Sequence, residues 1–394
     1  MPVPRCCRNP DCPNHTDPPP NWSVHFGSYR TIAHGSVRRY RCRACGATTS
    51  DQSESIHYFA KRRLPLKAMT TCLNTGTSLR DVARRYGVSC AAVRNGVLRL
   101  GRQAMAAHLI MLSQMNPRTH LTFDGLRSFV TAQDYPCDIT TVVDRQSEVI
   151  LTMTHSIFKR GGTTTPKQRK RMVLKYAVWK PKRKSMKKDI RLLVGELWDY
   201  LRPRPGTIVD TDRHPLYRAV LAVDRIWRHF SSLPPTCGGR KLVHHRRTSS
   251  LLPRTRDNPL FPVNYVDRLL RHRVKEHTRE TIAFGRHATV QMHRAWLFAW
   301  EHNMIREYRV RKPELGRHAE QGVTTGEVLR EITREFYQRR LRLDDVMVPV
   351  SIRKVWQSTL PTPPVRWRAG QRGTMVITPR FALADLAAGR FVPG

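Results

Sequence analysis

The chain has 394 residues, 45.6 kDa and 40% apolar content, enough for more than one domain with its own core, and two to four structural units are expected. Lys and Arg number 70 against 30 Asp and Glu, which gives a net charge of +40 and an isoelectric point near 11.1. Such a field suits a phosphate backbone, whose counterions are displaced by bound cations, and fits a small acidic metabolite poorly. Nucleic acid is the default partner, and a ribosomal-type basic protein without chemistry is the competing reading.

Nine cysteines, an odd number gathered at the front with singles at Cys72, Cys90, Cys137 and Cys237, do not make a disulfide framework. The opening residues carry no apolar signal core, and no run of about 18 apolar residues is present to span a bilayer. A soluble protein of a reducing cytoplasm, with no membrane partner, is expected.

Within residues 1–55, Cys7 and Cys12 form one pair and Cys42 and Cys45 a second. Four thiolates on two turns match tetrahedral Zn²⁺, and Gly46 gives the second turn its tight backbone. A zinc ribbon follows, with Cys6 and His15 as alternative ligands. Four soft ligands leave no open position, so the metal is structural. Arg39, Arg41 and Arg43, with Arg38, place cations on the ribbon as a DNA-reading face or as a solvated basic loop.

Residues 60–112 read as a helix-turn-helix. Ser78 with Asp81 three residues on is a capping pattern, and Leu79, Val82, Ala83 and Tyr86 share one face of the helix it starts. Gly87 breaks the run, and Ser89 caps a second helix over residues 90–100 with Val93, Val97 and Leu100 at helical spacing. Arg94, Asn95 and Arg99 lie off that stripe, as DNA-contacting residues do, although an ordinary helical hairpin has the same pattern. Residues 103–112 continue as a helix that connects onward or joins a dimer.

Residues 119–130 read as a strand in which apolar and β-branched residues flank one acid, Asp124, followed by Gly125. A carboxylate there is costly unless a cation offsets it, so a divalent metal is one explanation and an edge strand facing water the other. Runs at 137–144 and 148–155 complete an antiparallel meander. The basic stretch 159–188 reads as a flexible or inducible insertion. A short strand then ends in Asp210 and Asp212, followed by a helix with Pro215 in its first turn. Asp212 is preferred to Asp210, on the ground that strand alternation lets only one of them point at Asp124; its competing role is a helix cap. Asp267 opens a later helix, on which Glu276 and Glu280 are also expected, the last two as partners of arginines. Three acids from two strand positions and a late helix are what a two-metal phosphoryl-transfer site needs, and carboxylates suit a hard cation. Their spacing is compatible with an RNase H-like α/β core of three antiparallel strands plus βα units over residues 117–312.

The segments Arg39-Tyr-Arg-Cys-Arg-Ala-Cys-Gly46, Phe123-Asp-Gly125, Thr211-Asp-Arg-His-Pro-Leu-Tyr217, Asn264-Tyr-Val-Asp267 and Arg279-Glu-Thr-Ile-Ala-Phe284 resemble bacterial insertion-sequence DDE transposases of the insertion-sequence-one type. The resemblance covers roughly residues 1–312. It implies a zinc ribbon, a helix-turn-helix and an RNase H-like catalytic domain, with Asp124, Asp212 and Asp267 as catalytic residues holding two Mg²⁺ (or Mn²⁺) ions. It also implies binding of terminal inverted repeats, strand cleavage at the transposon ends and transfer of the freed 3′-hydroxyl to target DNA. A homodimer or higher oligomer in a bacterial cytoplasm, associated with the nucleoid, goes with that activity. The family's third acid is usually Glu; Asp at 267 leaves Glu276, Glu280 or a disabled site open. The second function class is therefore a non-catalytic, sequence-specific DNA-binding protein, either an element repressor or a domesticated transposase.

Residues 313–394 read as a small mixed region, with an amphipathic helix at 327–341 and short β-like runs. The sequence assigns it no role. Trp356 and Trp367 either stack on DNA or fill a small core.

Overall fold

The computed structural model describes residues 4–201, 206–221, 243–249, 251–278, 283–322, 326–341, 343, 347–364, 367–369 and 375–377. The chain is a mixed α+β protein, and no helix among the described residues is long and apolar enough to cross a membrane.

The front module runs through α1 (Pro13–Thr16), β1 (Ser23–Thr31), β2 (Gly35–Cys42), β3 (Thr48–Ser50) and α2 (Asp51–Glu54), its strands forming an antiparallel sheet in the order β1-β2-β3. Its apolar content is slight: Cys7, Cys12, Trp22 and Cys42 make a cluster separate from the main core. Charge docks it instead. Glu54 is 2.6 Å from Arg8 and 3.5 Å from Arg339, far along the chain.

Three helices follow: α3 (Leu66–Asn74), α4 (Leu79–Arg85) and α5 (Cys90–Ser113). The side chains of Ser78 and Ser89 accept from the amides of Asp81 and Ala92, satisfying donors that a helix start leaves open. Gly87, at φ +58°, makes the turn between α4 and α5. The helix read over residues 90–100 and its continuation over 103–112 form one continuous element of 24 residues. Nothing in the run breaks it, since Gly101 is tolerated inside a helix when close packing compensates. A Cβ at Gly101 would lie 2.3 Å from the Nδ1 of His293, so glycine is what lets that histidine's helix sit against α5.

The main sheet is built from β4 (His120–Val130), β5 (Ala132–Asp144), β6 (Ile150–Ile157), β7 (Thr207–Asp212) and β8 (Val243–Thr248), in the order β6-β5-β4-β7-β8. The first three strands are an antiparallel meander, and β7 and β8 run parallel to β4. Between β6 and β7 lie α6 (Pro166–Val178) and α7 (Ser185–Leu201), and α8 (Pro215–Leu221) follows β7. The 159–188 stretch is therefore not the flexible insertion expected from its charge. The helix α6 begins at a capping box of Thr165 and Gln168, and Asp134, buried on β5, receives Arg171 at 2.8 Å and Lys175 at 2.7 Å. Two of the cations that suggested a solvated segment are its anchors.

The chain closes with α9 (Phe261–Arg273), α10 (Ala288–Met304), α11 (Glu327–Glu335), α12 (Val350–Trp356) and the short strands β9 (Trp367–Ala369) and β10 (Met375–Ile377). One hydrophobic core runs from Ile56 to Leu360 and joins α3–α5, the main sheet, α10 and the tail helices. Trp300 and Phe336 stack at 3.9 Å, and Gln103 on α5 donates to the carbonyls of Phe336 and Arg339. The tail, expected as a small mixed region, places Leu329, Ile332, Phe336, Ile352, Val355 and Leu360 in that core.

Candidate functional site

The strand β4 is central, with β5 on one side and β7 on the other, so Asp124 is not the edge-strand acid that a solvent-facing reading requires. The parallel register pairs Phe123 with Thr211, which makes Asp124 and Asp212, one residue further along each strand, neighbours on the same face. From the other side comes α9. The Asn258 side chain accepts from the Leu260 amide to turn the chain into it, Pro262 sits in its first turn, and Val263, Val266 and Leu270 bury one face. Asp267 lies on the edge of that buried face. Asp124, Asp212 and Asp267 thus line one cavity of about 450 Å³ together with Gly125 and Asn264. Arg254, Arg268 and Arg271 share its wall with Phe261 and Tyr265.

The electrostatics follow from burial and crowding. Burial pushes the Asp124 carboxyl up to about 6, aided by the charges of Asp212 and Asp138 and opposed by the Gly125 amide, which donates to Oδ1 at 2.7 Å. Burial followed by the Asp124 charge holds Asp267 well above the usual carboxylate range, and its Oδ1 has no hydrogen-bond partner among the described residues. Asp212 Oδ1 accepts from the His214 amide at 2.8 Å, so its role as a turn-capping group is present alongside its place in the cavity. Crowded carboxylates that resist ionisation, one of them with an orphaned oxygen, fit a multivalent cation. Among the described residues, though, no three acids bring ligand oxygens within 4.8 Å of one another; only the cysteine group does. The acids share a cavity without closing on a single point, and two ions about 3.5–4 Å apart would ask for that wider spread.

The reason for preferring Asp212 to Asp210 needs correction. Two residues apart on a strand, they share a face, so alternation does not separate them. Depth and pairing do. Asp210 lies opposite Thr122, is fully buried, and is held by His120 and by Arg246 at 2.8 and 2.9 Å. Glu276 is also spoken for. It sits in a 3-10 turn after α9 rather than on that helix, 3.3 Å from buried Arg294, whose guanidinium also donates to the Leu73 and Thr77 carbonyls. Glu280 lies outside the described residues.

One acid was missed. Asp138 on β5 is fully buried, accepts from Thr140 at 2.8 Å and has Arg127 Nε 3.1 Å away. A Cβ at residue 125 would stand 2.4 Å from its Oδ2, so Gly125 is the gap through which a fourth carboxylate backs onto Asp124. The signal was available: Asp138, like Asp124, is an acid inside an apolar strand.

At the other end of the molecule, Cys7, Cys12, Cys42 and Cys45 bring their sulfurs within 4.8 Å of one another, a geometry able to hold a structural metal such as zinc. Cys6 is not in the group, and His15 is not a ligand; its ring bonds the Cys7 carbonyl at 2.8 Å. The Asn14 amide points at the Cys42 sulfur, 3.3 Å away. Gly46 has φ +72°, and its amide donates to the Cys42 carbonyl, closing the second turn. Nearby, Arg39 and Arg41 lie 5.2 and 5.1 Å from the half-exposed Phe26 ring, and Arg43 is exposed. On α5, Arg94 and Asn95 are exposed. Arg99 is not comparably presented: its guanidinium packs 4.4 Å over the Tyr58 ring and donates to the Ile56 carbonyl. Its spacing off the apolar stripe misled because the segment before α3 folds back over it.

Comparison with known proteins finds no match to this chain, whether among family models, curated proteins or solved structures.

Proposed function

We propose that the chain is a metal-dependent DNA transposase that binds the inverted-repeat ends of an insertion sequence and carries out strand cleavage and strand transfer. The observation that carries this is the meeting of Asp124, Asp212 and Asp267, 143 residues apart at the extremes, in one arginine-walled cavity. The strand order, three antiparallel strands followed by two parallel ones beside the first, supports an RNase H-like core. Asp124, Asp212 and Asp267 would hold the two Mg²⁺ or Mn²⁺ ions. Bound there, the ions supply an activated water or 3′-hydroxyl and stabilise the leaving oxygen.

The chain's own residues do the rest. Arg254, Arg268 and Arg271 bring cations to the cavity wall, where phosphates of a bound strand need them. Phe261 and Tyr265 stack one turn apart, 6.0 Å between centroids and 10° between planes, with Arg268 5.6 Å from the Tyr265 ring; that surface suits a base or sugar. Arg94 and Asn95, with Arg39, Arg41 and Arg43, are the proposed contacts to double-stranded DNA, with Arg99 supporting them from beneath. Two ends must be handled together, so a homodimer or larger assembly is proposed, in a bacterial cytoplasm.

A second reading, a non-catalytic end-binding protein, accounts for the basic surface without asking the acids to hold an ion; among the described residues no three acids bring ligand oxygens within 4.8 Å of one another. Cleavage of matching ends separates the two. Asp124→Ala and Asp212→Ala should each lower Mg²⁺-dependent cleavage by at least about 10³-fold, in the range that loss of a principal catalytic interaction produces, and leave end binding within about twofold. Wild-type protein that binds its ends and never cuts or joins them would establish the second reading.

A further inference from the structure

The turn between the front module and α3 carries an exposed aromatic. Phe59 is 74% exposed and sits at φ +51°, in the left-handed region where a glycine would rest without strain. One exposed aromatic is ordinary on a protein surface, but the bracing beneath this one is not. The His57 carbonyl accepts from the Ala60 amide at 2.9 Å and from Nε2 of His34, between β1 and β2, at 3.1 Å. The Tyr58 amide donates to the Ser55 carbonyl at 3.0 Å, and Ser55 pairs with Arg339 of the tail as an isolated bridge. The Tyr58 ring meets Phe59 edge-on at 6.1 Å; the guanidinium of Arg99, from α5, lies 4.4 Å from it and that of Arg340 4.0 Å. Front module, α5 and tail all grip the turn, and Phe59 is left uncovered. Lys61, Arg62 and Arg63 follow it, each exposed.

We propose that Phe59 is a wedge that enters between two base pairs of double-stranded DNA from the minor groove, with Lys61, Arg62 and Arg63 on the flanking phosphates. Apolar side chains used in this way partly unstack a base step and kink the duplex, which asks for a rigid mount and nearby cations. The braced turn is the mount. A lipid surface fits less well, because one ring on a turn lacks the broad apolar face that interfacial anchoring needs. A second copy of a chain carrying +40 would bring like charge to the same three cations. Arg99 ties the turn to the helix that presents Arg94 and Asn95, so the wedge and those proposed contacts share one support. The inference rests on the double-stranded DNA reading above and adds a deformation of the duplex to it.

The test uses the zinc-loaded full chain and closed circular plasmid DNA, relaxed by a topoisomerase while the protein is bound and then stripped of protein. Unstacking unwinds the duplex, so wild type should leave the plasmid with a lower linking number, counted per bound chain by co-sedimentation. Phe59→Ser should melt with wild type and cut that change at least about fivefold, while Phe59→Leu, still an apolar wedge, keeps about half or more. Replacing Lys61, Arg62 and Arg63 together by alanine should flatten the slope of log affinity against log salt by about three. Phe59→Ser with the wild-type linking change, or wild type that binds the plasmid and leaves its linking number alone, overturns the wedge while DNA binding stands. A Phe59→Ser protein that melts well below wild type shows the ring to be packing and overturns it as well. So does a variant that keeps the linking change and loses binding to phosphatidylserine vesicles or self-association, which assigns the ring to lipid or to a second copy. Wild type that does not bind the plasmid overturns the DNA reading itself.

Discussion

At the scale of single residues, Gly125 does two things at once. It follows the acid at the centre of the sheet, and it leaves the space that Asp138 occupies from the neighbouring strand. Gly125→Ala forces a methyl group to within 2.4 Å of a buried carboxylate oxygen, and both neighbours are held by backbone pairing across β4 and β5. Melting should fall by the equivalent of about 1–3 kcal/mol, the usual result of overpacking. Cleavage should fall with it, while zinc content stays whole; unchanged melting and cleavage would mean that Asp138 moves freely. The pair Asp210 and Asp212 shows what spacing leaves open. Both acids were visible at a strand end, but the side chains that hold Asp210 are His120, on another strand, and Arg246, from the next strand over.

At the scale of elements, the front module and the core are separate apolar clusters linked through Arg8, Glu54 and Arg339. Cys42→Ser should therefore release the metal and melt the module while the main transition is retained. Metal analysis with two-step thermal unfolding checks this, and full metal stoichiometry in the variant would refute the ligand set. The tail behaves in the opposite way. Phe336, Ile352 and Val355 are buried in the shared core, so ending the chain at residue 312 uncovers α5 and α10. The shortened protein should aggregate or expose dye-binding apolar surface, whereas a soluble product with full cooperativity would show the tail to be dispensable. Two helix starts were readable because Ser78 and Ser89 cap locally, whereas the Thr165 cap went unread within a strongly basic stretch. The docking of α6 was not readable, because its anchor Asp134 lies far from it in sequence.

For the molecule as a whole, the joining of helices to sheet leaves several histidines in the core. His108 Nε2 donates to the Leu151 carbonyl at 2.9 Å, and its ring is pushed down to about 4 by burial; His293 is pushed down to about 3 for the same reason. A histidine whose folded pKa is depressed contributes stability that is full above its ordinary value near 6.5 and is lost as pH falls toward the folded value, because the unfolded chain takes up the proton first. At pH 5 the loss per such group is on the order of 2 kcal/mol, at 1.36 kcal/mol per pH unit. In urea unfolding, the wild-type advantage over His108→Gln should shrink by about that amount between pH 7 and pH 5. A pH-independent difference would remove His108 from the linkage.

By itself the sequence determined the phosphate-seeking charge, the two cysteine pairs, the capped helices and the three acids worth following, because each is written in residue type and short-range spacing. Only the tertiary structure decided which of Cys6 and Cys7 joins the sulfur group, that Asp210 is held by His120 and Arg246 and Glu276 by buried Arg294, that Arg99 packs inward, and that Asp138 backs onto Gly125. Those outcomes depend on which strands become neighbours and which helix covers them. That choice is made by burying apolar surface across the whole chain, and a local pattern holds no record of it.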